Sequence, residues 1–137
     1  MAINVFVYND SPIKRLPYDK VKDAVERALK EEKIDNAEIN VIFVDDTKIV
    51  KLNKEFLRHN YPTDVISFPL GNAKQIEGEI YISAETAKLQ AKEYGVTLSN
   101  EVVRLAVHGT LHLIGYDDAT PEQRIVMHDM ENRFIGS

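Results

Sequence analysis

The sequence predicts an α+β domain in which a small mixed sheet of four strands packs with about five helices. Short segments with strand patterns alternate along the chain with longer segments whose apolar residues recur at helical spacing. A chain of 137 residues with 44% hydrophobic content is long enough for one core and too short for two ordinary domains. We therefore expect one domain over residues 1–137.

The four predicted strands are short. The first lies in the segment INVFVY, where aliphatic residues alternate with Asn4, Phe6 and Tyr8. The second runs through AEINVIFV to Val44. The third spans residues 65–68 and ends at Pro69, and the fourth is the segment GEIYIS. These patterns leave the order of the strands in the sheet open.

Two helices are predicted in the N-terminal half. The segment from Pro17 to Glu31 has five apolar residues at helical spacing. The second helix, TKIVKLNKEFLR, runs from Thr47 to Arg58, and Asp46 is its predicted N-cap.

Three helices are predicted in the C-terminal half. Their N-caps are expected to be Ser83, then Ser99 or Asn100, then Thr120 in a capping box with Gln123. Gly95 ends the first of these helices. The other two run to about residues 114 and 134.

Composition excludes several classes of protein. No stretch of 18 apolar residues is present, and the N-terminus lacks the basic region of a signal peptide. The absence of cysteine excludes disulfides and cysteine zinc sites and fits a cytoplasmic protein. A net charge of -5 argues against a general nucleic-acid coat protein but allows a local basic face.

The segment HGTLHLIGYDD, from His108 to Asp118, is the strongest candidate for a functional site. Residues four apart share one face of a helix, so His108 and His112 are placed to bind one metal ion. Gly115 permits a sharp turn that brings Asp117 or Asp118 back over that face. Two imidazoles and a carboxylate, with one position open, are typical of a catalytic metal site.

An alternative is that both histidines are satisfied by hydrogen bonds within a buried helix. The helix is nearly apolar all round, however, so two histidines on one of its faces need partners, and we favour a metal. His128, in the last helix, is the substitute ligand if Asp118 points away. Arg104, one turn before His108, either orients a ligand or pairs with Glu101.

The segments PTDVISFP, GEIYIS and HGTLHLIGYDD, in this order and spacing, resemble the YbeY family of metal-dependent endoribonucleases. The resemblance covers nearly the whole chain. It implies cleavage of single-stranded RNA in ribosomal RNA maturation and ribosome quality control, with the small ribosomal subunit and assembly factors as partners. It also implies one zinc ion per chain, with manganese or nickel as alternatives.

The family's three metal ligands fall by position on His108, His112 and Asp118, although most members have a histidine at the third position. Aspartate is a competent zinc ligand, so we expect the site to survive. The family's arginine after an aromatic residue falls on Leu57, and Arg58 follows one place later. The resemblance thus implies catalytic or substrate-contacting roles for Arg58, Asp64 and His108.

The protease pattern H-E-x-x-H has its general base beside the first histidine, where this chain has Gly109. That absence argues against peptide hydrolysis and is neutral towards phosphodiester cleavage. Two alternatives stay open. One is another zinc hydrolase or protease with a distant base such as Glu79 or Glu131. The other is a non-enzymatic ribosome-assembly module with a structural metal.

A basic surface is also predicted on the second helix. Lys48, Lys51, Lys54 and Arg58 fall on one side, and the opposite side is apolar and includes Phe56. Such a stripe is either an RNA-binding face or the solvated face of an amphipathic helix. His59, beside Arg58, is a further candidate phosphate donor.

Overall fold

A computed structural model describes residues 2–57, 63–71 and 75–135. Its strands are β1 (Ile3–Asn9), β2 (Ala37–Val44), β3 (Val65–Pro69) and β4 (Ile76–Ser83). Its helices are α1 (Tyr18–Glu31), α2 (Asp46–Leu57), α3 (Ala84–Tyr94), α4 (Leu98–Leu113) and α5 (Pro121–Phe134). The predicted α+β class, with a small mixed sheet and five helices, is confirmed. Within the described ranges, no helix is long and apolar enough to cross a membrane.

The sheet has the strand order β1-β2-β4-β3. Strands β1, β2 and β4 are parallel, whereas β3 is antiparallel to β4 and forms an edge of the sheet. Parallel neighbours require long crossover connections. Helix α1 lies in the crossover from β1 to β2, and α2 and β3 lie in the crossover from β2 to β4.

The two faces of the sheet are covered unequally. The main core includes Val5, Val41 and Ile80 and is closed by the apolar sides of α1 and α4. A smaller cluster on α2 and the opposite face contains Val44, Ile49, Leu52 and Ile66. Because strand side chains alternate between faces, β2, β3 and β4 contribute to both clusters, whereas β1 contributes to the main core alone.

The predicted helix caps are confirmed in part. Ser83 and Thr120 are N-caps, the capping box with Gln123 is present, and Gly95 ends α3 with a left-handed φ of 67°. The prediction of Ser99 or Asn100 as the next N-cap was wrong. The cap of α4 is Thr97, whose hydroxyl accepts a hydrogen bond from the Asn100 N–H at 3.0 Å.

The cap predicted for α2 was also displaced by one residue. The Lys48 N–H donates to the Asp45 carboxylate at 2.8 Å, whereas Asp46 is the first helical residue. The Asp46 carboxylate instead accepts hydrogen bonds from the Ser83 and Thr86 hydroxyls at the start of α3. Asp46 therefore ties two helix starts together.

At the far end of α2, Phe56 lies beside Leu52 and Phe68, on the side predicted to be apolar, but it is 61% exposed. Lys48, Lys51 and Lys54 are exposed as predicted. Arg58 and His59 lie outside the described residues.

Candidate metal centre

Helix α4 crosses the sheet at very close range, and Gly109 makes this contact. A Cβ atom at this position would lie 2.7 Å from Cγ2 of Ile80 and 2.9 Å from the Ser67 hydroxyl oxygen. That hydroxyl donates a hydrogen bond to the Gly109 carbonyl at 3.0 Å. A side chain at this position would press against Ile80 and Ser67, so the glutamate of a protease motif is opposed sterically as well as absent from the sequence.

The two predicted histidine ligands lie one turn apart on α4 and line a cleft that opens to solvent beside β3. The Nε2 atoms of His108 and His112 are 3.1 Å apart. Their side chains are 18% and 30% exposed, respectively. Both rings are thus anchored in the protein while their Nε2 atoms face a common point.

The turn after α4 supplies a carboxylate. Gly115, with a φ of 109°, lets the chain reverse. A carboxylate oxygen of Asp118 then lies 3.4 Å from Nε2 of His108, and the other lies 3.6 Å from Nε2 of His112. Ligands about 2.1 Å from a tetrahedral zinc ion are about 3.4 Å apart. The three donors are therefore close to the spacing that one such ion requires.

The other candidate ligands lie elsewhere. A carboxylate oxygen of Asp117 accepts the N–H of Asp118 at 2.8 Å, as an acidic residue in a turn commonly does. His128 is 65% exposed, and its Nδ1 is 4.0 Å from the Glu131 carboxylate. Among the described residues, the only cluster with metal-ligand geometry is formed by His108, His112 and Asp118.

A buried carboxylate stands behind the first histidine. Oε2 of Glu131, on α5, lies 2.6 Å from Nδ1 of His108, and the Glu131 side chain is only 3% exposed. When the His108 imidazole is neutral, as a metal ligand must be, this contact places its Nδ1 proton towards Glu131 and leaves the Nε2 lone pair to the cleft. The sequence reasoning considered Glu131 only as a distant base and missed this role.

Arg104 holds the Glu131 carboxylate that contacts His108. Its guanidinium donates to the other Glu131 oxygen at 3.1 Å and to the buried carboxylate of Glu101. Of the two roles left open for Arg104, pairing with Glu101 is therefore observed. Its contact with Glu131 also links it indirectly to His108.

These contacts shift the pKa values of both members of the pair. Burial opposes the charged imidazole of His108, but the hydrogen bond and charge of Glu131 raise its pKa. Burial likewise opposes the Glu131 carboxylate, yet His108 and Arg104 lower its pKa. In the metal-free protein the favoured arrangement is therefore a charged pair.

The three donors open onto a cleft of about 360 Å³ whose opposite wall is formed by residues 63–67, at and just before the start of β3. Asp64 lies on this wall, and its carboxylate accepts a hydrogen bond from Gln90 at 3.2 Å. Glu79 lines a different cleft and accepts the Tyr81 hydroxyl at 3.1 Å. The structure thus brings Asp64, but not Glu79, to the predicted centre.

The chain is similar to known proteins over nearly its whole length. The sequence model of the family described as "Endoribonuclease YbeY" matches residues 7–137. A relative of that name from Chloroherpeton thalassium is 41% identical over 90% of this chain and 88% of its own length. Another, from Elusimicrobium minutum, is 41% identical over 98% of both. The solution structure of TM1509 from Thermotoga maritima matches with a TM-score of 0.69 and 29% identity, covering 95% of this chain and 85% of that one.

Proposed function

The chain belongs to the YbeY family of endoribonucleases, and on that premise we propose that it is a metal-dependent enzyme that cleaves single-stranded ribosomal RNA. The observation that carries the metal dependence is the donor set of His108, His112 and Asp118, whose spacing suits one tetrahedral ion. Its role is in ribosomal RNA maturation and ribosome quality control. The partners are the small ribosomal subunit and its assembly factors in the cytoplasm.

The proposed ligands are held unequally. His108 is fixed from behind by Glu131, whereas His112 and Asp118 are more exposed. Two nitrogen donors and one carboxylate suit zinc and also accommodate manganese or nickel. When bound, such an ion supplies Lewis-acid polarisation of a phosphoryl oxygen and lowers the pKa of water.

The remaining residues of the cleft orient the RNA. Asp64 faces the donors across the cleft and is kept in place by Gln90, so its carboxylate is available to accept a hydrogen bond from a ribose hydroxyl or from water. Arg58 is proposed to donate to the phosphate next to the bond that breaks. A guanidinium stabilises charge on the equatorial oxygens of that phosphate.

Two features support RNA over peptide as the substrate. The contact of Gly109 with Ile80 and Ser67 opposes a larger residue, and hence a base, beside His108. Glu131, one of the distant bases considered, is already bound to His108 and Arg104. Neither position 109 nor Glu131 therefore supplies the base that peptide hydrolysis would use.

The test compares RNA and protein substrates with defined metal content. Protein stripped with a chelator is incubated with single-stranded ribosomal RNA, with a duplex of the same sequence and with casein, before and after zinc is returned. We expect cleavage of the single strand alone, only after zinc is returned, and its loss in His112→Ala but not in His128→Ala. Equal RNA cleavage by the stripped protein would refute metal dependence, and casein cleavage lost in His112→Ala would indicate a protease.

A further inference from the structure

A second cleft lies beside β3, on the face of the sheet opposite α4. We call it the aromatic cleft. It has a volume of about 440 Å³, and its lining includes Phe56, Phe68, Tyr81, Lys48, Lys51 and Glu79. Its walls come from α2, from the end of β3 and from β4.

Three rings in this cleft form a continuous edge-to-face series. The ring centroids of Phe56 and Phe68 are 5.3 Å apart, with an interplanar angle of 70°. Those of Phe68 and Tyr81 are 5.7 Å apart at 74°. Phe56 stands at the open end of the series and is 61% exposed. It offers an aromatic surface to a planar ligand, and a nucleobase stacks on such a surface.

The charges around the rings suit a nucleotide. Lys48 and Lys51 lie one turn apart on α2 and are both exposed, so their ammonium groups can reach adjacent phosphates. Glu79 and Glu55 also line the cleft. A carboxylate repels phosphate but accepts hydrogen bonds from the amino group of a base. An aromatic surface, two cations and two acceptors together match an unstacked base with its flanking phosphates.

The aromatic cleft and the cleft at the metal centre are lined by successive parts of the same segment of chain. Residues 63–67 line the cleft at the metal centre, and Phe68, Pro69 and Leu70 line the aromatic cleft. Since a strand rises about 3.3 Å per residue, Asp64 and Leu70 are about 20 Å apart. Strand β3 is an edge strand. A short single strand that crosses this edge passes from one cleft to the other.

We propose that the aromatic cleft is a subsite that stacks an unpaired base of the RNA strand on Phe56, a few nucleotides from the bond cleaved at the metal centre, with Lys48 and Lys51 on the adjoining phosphates. This inference rests on the proposed function and extends it. The aromatic cleft, between α2 and β3, would then select single-stranded RNA, because a base that is paired and stacked in a duplex cannot enter it.

The chain contains no tryptophan, so Phe56→Trp introduces a single fluorescent reporter into the cleft. Leu89→Trp is the matched control, because Leu89 on α3 is 63% exposed and does not line either cleft. Each variant is titrated with a single-stranded oligoribonucleotide in the presence of a chelator, so that no cleavage occurs. We expect quenching of Phe56→Trp, little change in Leu89→Trp, and no quenching of either by a blunt duplex.

Affinity is measured in parallel by the anisotropy of a labelled single strand. Phe56→Ala should weaken binding between about 5-fold and 150-fold, the loss expected for one stacked base, whereas Leu89→Ala should have no effect. The double variant Lys48→Ala with Lys51→Ala should reduce the slope of log affinity against log salt by about 1.4, which is about 0.7 for each phosphate contact to a single strand.

The outcomes separate this subsite from the nuclease itself. RNA that binds and is cleaved while Phe56→Trp stays unquenched and Phe56→Ala binds normally would overturn the subsite and leave the proposed function intact. In that case the aromatic cleft would be assigned to a protein ligand. Quenching and loss of affinity without cleavage by the zinc-loaded protein would support the subsite and refute the proposed nuclease. The absence of any RNA binding would refute both.

Discussion

Replacing Glu131 with glutamine tests whether the buried carboxylate controls the metal centre. The replacement keeps the size of the side chain and removes its charge, so His108 loses a charge-assisted hydrogen bond now made at 2.6 Å. Such a bond is worth about 1.5–3 kcal/mol. Partners of this kind behind a metal ligand commonly change metal affinity by about 10–100-fold. We expect Glu131→Gln to weaken zinc binding within that range.

The measurement is a competition titration of zinc against a chromogenic chelator at neutral pH. His128→Ala is the control on the same helix, because His128 is exposed and lies 4.0 Å from Glu131 without reaching the donors. It should bind zinc as the unmodified protein does. Zinc affinity in Glu131→Gln equal to that of the control would show that the donors are positioned without this carboxylate.

The same variant has a predicted pH signature in the metal-free protein. The pKa of Glu131 is lowered from 4.5, so its contribution to stability is present above about pH 4.5 and is lost as the pH falls through the folded-state pKa. The pKa of His108 is raised from 6.5, so its contribution is present below about pH 6.5 and is lost as the pH rises through its folded-state pKa. Urea unfolding should therefore show the largest deficit of Glu131→Gln between about pH 4.5 and 6.5. A deficit that does not vary with pH would contradict the charged pair.

Five further variants, at four positions, test other parts of the structure. Gly109→Ala places a methyl group 2.7 Å from Ile80. The overpacking cost of about 1–3 kcal/mol should outweigh the gain of about 1 kcal/mol in helix propensity. Urea unfolding should therefore show a free energy of unfolding that is lower by up to about 2 kcal/mol. A variant more stable than the unmodified protein would mean that α4 can move away from the sheet without cost. In the chelator titration, Asp118→Ala should weaken zinc binding and Asp118→His should retain it. Asp117→Ala should bind zinc as the unmodified protein does. Loss of zinc affinity in Asp117→Ala but not in Asp118→Ala would make Asp117 the ligand. Thr120→Ala removes the capping box of α5 and should lower the unfolding free energy by about 1 kcal/mol, whereas an unchanged value would mean that the start of α5 is held by other contacts.

The sequence predicted the elements well because periodicity is a local signal. Alternation in the strands and helical spacing in α1 and α4 are set by which side faces the core, and both match the observed burial. The caps were less predictable. Three polar residues compete at the start of α4, and Thr97 caps it after the chain leaves Gly95. The Asp46 carboxylate accepts hydrogen bonds from Ser83 and Thr86, which lie 37 and 40 residues later in the chain, so no local pattern predicts its role.

The residues of the metal centre were likewise predictable only where a local sequence pattern places them. The His108 and His112 pair follows from helical spacing alone, and the reach of Asp118 follows from the turn at Gly115. The partner of His108 depends on how α5 packs on α4, which no local pattern contains. A signal was nevertheless present. Glu131 stands among apolar residues at a spacing of three and four, with Met127, Met130 and Phe134, and a carboxylate on a buried stripe requires a partner.

The placement of Glu131 on α5 has a consequence for local unfolding. The helix is held by a narrow buried stripe, and most of its other positions are exposed. Elements attached in this way open more readily than the core. When α5 lifts, His108 loses its orienting carboxylate, so the open form binds metal more weakly. By linkage, an ion present at a hundred times its dissociation constant would favour the closed form by up to about 2.7 kcal/mol. Amide hydrogen exchange along α5 should therefore slow as metal occupancy rises.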